Sequence, residues 1–135
     1  MKNRSTVVLD TATLLLSASF AVGMKTFLAA CGPHEDGAWM SCHWAEAALF
    51  ALAVVLTVQA AIRLTLRAPG AKRGAALAML PVALAAAIVP GGIIPLCMMR
   101  TMRCQMVMKP GATVFGVLIA ALCAVEALLL RKSER

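Results

Sequence analysis

The sequence contains no tyrosine, only 4% aromatic residues and only 14% charged ones across 135 positions. Scarce charge goes with 61% hydrophobic content and a mean hydropathy of +0.86, well above the roughly 45–50% apolar of soluble globular chains. The chain therefore belongs in a membrane. Scarce aromatics leave a thin interfacial belt, so the ends of its spans must be placed from charge, proline and glycine. Also missing are G-x-S-x-G, the Walker loop, H-E-x-x-H and the dinucleotide fingerprint, so no catalytic machinery of those kinds is legible. Acids number 6 against 13 Lys and Arg, a net charge of +7. That excess invites a nucleic-acid reading, which is set aside because the cations gather at the ends of apolar runs rather than on a polar face interleaved with aromatics.

What is present is four long apolar runs, near 6–30, 45–66, 75–96 and 112–130. Each is long enough to cross a hydrocarbon core of about 30 Å, which takes about 20 helical residues. The expectation is an all-α polytopic membrane protein, a single domain over 1–135 with four transmembrane helices in a bundle and outer loops at 31–44 and 97–111. An even number of crossings places both termini on one side. With that side in the cytoplasm, it holds Lys2, Arg4, Arg63, Arg67, Lys72, Arg73, Arg131, Lys132 and Arg135, leaving Lys25, Arg100, Arg103 and Lys109 outside. The positive-inside rule then predicts a multi-pass protein of the cytoplasmic (inner) membrane with N and C termini inside.

Pro81, Pro90, Gly91, Gly92 and Pro95 fall in or beside the third run. An interior proline removes an intrahelical hydrogen bond, so this helix is expected to kink at Pro81 and break near Pro90–Gly92. Leu28-Ala29-Ala30-Cys31 matches a bacterial lipobox, whose processing would remove the first run, but Lys25 and Asp10 interrupt the segment a signal peptide would need. Asp10, Lys25, Glu46, Arg63 and Glu126 lie in or near apolar runs, where unpaired charge is expensive. Their depths suggest pairing of Lys25 with Glu46 at one end, and association of Asp10, Arg63 and Glu126 at the other. Glu35 and Asp36 are placed to meet Arg100 and Arg103 across the outer surface.

Chemistry concentrates in the stretch PLCMMRTMRCQMVMKP, residues 95–110. Cys31 and Cys42 bracket the first outer link, Cys97 and Cys104 bracket the core of the second, and Cys123 lies within the fourth run. On an oxidising face such pairs predict disulfides, Cys31–Cys42 and Cys97–Cys104 at closest range, although four cysteines permit three connectivities. A metal reading rests on soft ligands: Cys97, Met98, Met99, Met102 and Cys104 offer thiol and thioether sulfur suited to Cu(I), with Met106 and Met108 following and His34 and His43 in the other link. Against it, Arg100, Arg103 and Lys109 would repel a cation. A redox reading makes Cys31, Cys42, Cys97 and Cys104 a thiol relay to a membrane quinone. Neither pair has C-x-x-C spacing, though Arg100 and Arg103 could favour the thiolate of Cys104. Cys42-His43-Trp44 leads into the second span, with Trp39 and Trp44 as interfacial anchors. His43, Trp44, Arg100 and Arg103 are the candidate outer interaction surface.

Cys42-His43-Trp44, Pro95-Leu96-Cys97-Met98 and Met102-Arg103-Cys104, set around a proline-broken third span, resemble the small prokaryotic membrane proteins grouped as domain of unknown function 4418. The similarity runs from Lys25 to Glu126. It implies no activity, and it implies as partners the lipid bilayer and other membrane subunits such as an ABC permease. The two cysteine-bearing outer loops are similar in topology alone to DsbB-type thiol–quinone oxidases. Taken together, the sequence leads to a non-enzymatic accessory or interaction protein of an ABC-type transport complex, with a DsbB-like oxidoreductase or a copper-binding membrane protein as the alternatives. No cofactor is fixed; quinone and copper are the candidates.

Overall fold

The computed structural model describes residues 4–30, 32 and 35–135. It contains four helices: α1 (Arg4–Lys25), α2 (Ser41–Thr65), α3 (Pro69–Ile88) and α4 (Lys109–Glu134). A π-type turn, Val89–Ile93, extends α3, and a second, Cys104–Met108, leads into α4. No strand occurs among the described residues. With these turns included, all four helices are long and apolar enough to cross a bilayer. The chain is an integral membrane protein.

The helices overrun the apolar windows at several ends. Hydropathy marks only the stretch facing hydrocarbon, whereas a helix continues into the interface as long as its backbone bonds are satisfied. Thus α2 begins at Ser41, so that Cys42, His43 and Trp44 form its first turn rather than the end of a loop. Likewise Cys104 opens the fourth helical segment, and Lys72 and Arg73 lie inside α3. Proline suits the first turn, where its missing N–H has no intrahelical partner, and Pro69 occupies that position in α3. Helix α1 stops earlier than its apolar run, at Lys25, and Leu28 N–H closes back on the Gly23 carbonyl at 2.8 Å.

Helix α3 runs through Pro81 and leaves helical geometry at Pro90 (φ −74°, ψ 109°) and Gly91 (φ 84°, ψ −8°). A positive φ of this kind costs glycine little and other residues a good deal. The Lys109 side chain also approaches the place where a Gly91 Cβ would project.

Packing joins α1 to α2 and α3 to α4 most extensively, with α1 against α4 and α2 against α3 completing the bundle. The interior mixes large apolar residues, among them Phe20, Leu49, Leu56, Met79 and Ile119, with many small and polar side chains: Thr6, Asp10, Thr13 and Ser17 on α1; Ala45, Ala53 and Ala60 on α2; Ala76, Ala83 and Ala86 on α3. Large apolar residues such as Val8, Leu15, Val58, Ile62, Leu84 and Leu128 face outward. This is the arrangement expected in lipid, where helix association rests on close van der Waals approach rather than on hiding apolar surface. Gly116 shows how close: a Cβ there would lie 2.7 Å from the Ala83 carbonyl oxygen.

The two ends of the bundle differ in chemistry. At the end nearer the termini, each helix contributes one buried ionisable group. Arg63 Nη2 contacts Asp10 Oδ1 at 2.9 Å and also pairs with Glu126, while Lys72 pairs with Asp10. Two acids and two bases balance there. The expected association of Asp10, Arg63 and Glu126 is present, and Lys72, expected in an exposed link, is its fourth member. Arg73 and Glu134 add an outer pair at 3.2 Å. At the opposite end, Lys25 and Glu46 pair at 3.0 Å as anticipated, and the other Glu46 oxygen accepts from the Ala30 N–H at 2.8 Å. This end also holds Cys42, Cys97 and Cys104.

Candidate metal centre

Three segments converge on the sulfur cluster. Cys42 comes from the first turn of α2, where Met40 immediately precedes the helix. Cys97 comes from the short return that follows the break at Pro90–Gly91, and Cys104 from the turn that opens the fourth helical segment. Gln105 Nε2 donates to the Cys97 carbonyl at 3.0 Å, which fixes the return against the helix it precedes. Arg103 Nη2 donates to the Phe27 carbonyl at 3.2 Å and ties the same segment to the end of α1.

The sulfurs of Cys42, Cys97 and Cys104 all lie within 4.8 Å of one another. Cys42 and Cys104 are fully buried and Cys97 nearly so. Cys42 Sγ and Cys97 Sγ are 3.1 Å apart, and the Cys97 thiol also contacts Met40 Sδ at 3.6 Å. Burial first, then hydrogen bonding with Cys104 and Cys42, pushes the Cys97 thiol well above the usual range. A cation would reverse that tendency, because a coordinating thiol gives up its proton. For an ion about 2.3 Å from three sulfurs in one plane, the sulfurs would stand about 4.0 Å apart. Cys42 and Cys97, at 3.1 Å, would separate by about 0.9 Å to reach that spacing.

The structure sorts the sequence candidates. Cys42, Cys97 and Cys104 come together. Cys31 and His34 lie outside the described residues, so the Cys31–Cys42 pairing and the lipobox fall there too. Met98 is completely exposed, with 102% relative accessibility, and Met99 is 64% exposed. Met102 is half-buried and packs against the core. His43 is not part of the thiol cluster; its ring stacks on Trp39 at 4.0 Å and meets Trp44 edge-on at 5.6 Å. Arg100 is exposed, Arg103 is engaged with Phe27, and among the described residues neither pairs with Glu35 or Asp36. Cys123 stands apart at the opposite end, 3.5 Å from Arg63 Nη1. Sequence reasoning missed Met40, which lies 57 positions from Cys97; the one available signal was its place two residues before Cys42.

Fold and site together define a multi-pass integral membrane protein, a four-helix bundle with a buried charge layer at one end and a thiol cluster at the other. Residues 13–129 match the family described as domain of unknown function (DUF4418), and the chain belongs to that family. The matched region contains Met40, Cys42, Cys97 and Cys104. No curated protein and no solved structure matches the chain.

Proposed function

We propose that this protein is a copper-handling accessory subunit of the cytoplasmic membrane, with its termini inside and a Cu(I) site at its outer end. The observation that carries the reading is the all-sulfur set: three converging thiols with the Met40 thioether against Cys97. Thiolate and thioether together favour Cu(I), whereas zinc sites draw on Cys, His and carboxylate. Burial suits retention of a soft ion away from water. The excess of cations on the terminal side supports the orientation. The balanced, inward-facing charges support a role beside a larger transport protein, such as an ABC permease, rather than as a self-contained transporter.

The test is Cu(I) titration of the reduced protein in mild detergent against a competing chelator. One tightly held copper per chain, lost in Cys97→Ser and retained in Cys123→Ser, is the expected result. Failure of the unaltered protein to hold copper against a weak chelator would remove the reading. A second reading has its own support: the 3.1 Å contact between Cys42 and Cys97 suits a dithiol that gives two electrons and two protons to a quinone as it closes to a disulfide, which Cys104 then exchanges with a dithiol substrate. It predicts quinone reduction by a dithiol substrate, abolished by Cys97→Ser or Cys104→Ser; unchanged rates would exclude it.

A further inference from the structure

Buried sulfur raises a problem of delivery. An ion held by Cys42, Cys97 and Cys104 must pass through a surface that carries Arg100, Arg103 and Lys109, all exposed. Those charges oppose the approach of a free cation. The same segment nevertheless presents soft ligands directly to solvent. Met98 is wholly exposed and Met99 largely so, and both follow Cys97 immediately in the chain. Met40, in contact with Cys97, and Met102 are half-buried, and the thiols are buried. The thiols are also the stronger donors, since each becomes a thiolate on binding a cation while the methionines stay neutral thioethers.

We propose that Met98 and Met99 form a docking step at which Cu(I) is received from an anionic carrier and handed to the buried thiols. The proposal rests on the copper reading above and adds the route of loading. Arg100 and Arg103 then have a consistent purpose, because a surface that repels a bare cation attracts a Cu(I) complex of net negative charge. Transfer is ligand exchange without change of oxidation state. A carrier–copper bond breaks as a copper–thioether bond forms; that bond in turn gives way to copper–Sγ bonds at Cys97 and its neighbours, whose thiol protons leave to water.

The experiment follows the rate of loading of the reduced, full-length protein from the anionic Cu(I)–bicinchoninate complex, beside its equilibrium affinity. In the Met98→Leu/Met99→Leu variant, loading should slow by at least about tenfold while affinity and final occupancy stay unchanged. Arg100→Gln should slow loading from bicinchoninate but not from the cationic Cu(I)–acetonitrile complex. For the unaltered protein, loading from bicinchoninate should slow as salt is added. Wild-type loading rates in the double variant would overturn the proposal. So would a fall in affinity that matches the fall in rate, since the methionines would then be ligands of the final site. Rates indifferent to salt and to Arg100→Gln would overturn the anionic carrier. A wild-type protein that takes up no copper from either complex would instead remove the copper reading itself, and the relay with it.

Discussion

Cys97 is the residue through which the sulfur cluster is connected, since its thiol meets Cys42, Cys104 and Met40. Its raised pKa has a direct consequence. The nucleophile in alkylation is the thiolate, so a thiol held protonated reacts slowly at neutral pH. In the reduced, metal-free protein, Cys97 should label with iodoacetamide more slowly than an exposed model thiol. Its rate should continue to climb with pH after the model thiol has levelled off. Labelling at the model rate, read by peptide mass spectrometry, would contradict the assigned environment. The three cysteines were visible in the sequence as members of two separated pairs, Cys31 with Cys42 and Cys97 with Cys104, but their convergence was not. It depends on the turn at Gly91 and on the return being pinned by Gln105, neither of which has a periodic signature. Met40 was hidden for the same reason, whereas Met98 and Met99 drew attention by density alone and sit in the open.

Among the elements, the four helices were legible because length and hydropathy suffice for spans. Their faces were not. In the first four turns of α1 the buried side is Thr6, Asp10, Thr13 and Ser17 while Val8 and Leu15 point out, the reverse of the pattern that identifies helices of soluble proteins; only its last turns bury Phe20 and Met24. The α3–α4 contact depends on the absence of a side chain at Gly116. Gly116→Val should destabilise the bundle by about 1–3 kcal/mol through overpacking against Ala83 and Ala87, seen as a lower unfolding temperature in detergent. A variant as stable as the parent would mean that α3 and α4 are spaced more widely. At the terminal end, Asp10 compensates both Arg63 and Lys72. Asp10→Asn leaves buried positive charge in excess and should cost about 3–5 kcal/mol, the range for removing one partner of a buried pair. Arg63→Met combined with Glu126→Leu should recover much of the loss seen in Arg63→Met alone, because the pair is removed together. Equal damage in the single and double variants would contradict the network.

For the whole molecule, a charge-balanced layer lies at one end of the bundle and a thiol cluster at the other. The expected orientation follows from the distribution of cations. A reporter fused after Arg135 that folds only in the cytoplasm should be active, and one active only outside should be silent; the opposite pattern would invert the proposed topology. The copper account as a whole turns on whether three thiols from distant parts of the chain share one ion. Its most direct test is native mass spectrometry of the reduced protein after Cu(I) loading, followed by thiol trapping and peptide analysis. The account predicts one copper per chain, with Cys42, Cys97 and Cys104 protected together and Cys123 unaffected by the metal. A chain without copper that carries a Cys42–Cys97 disulfide would contradict it.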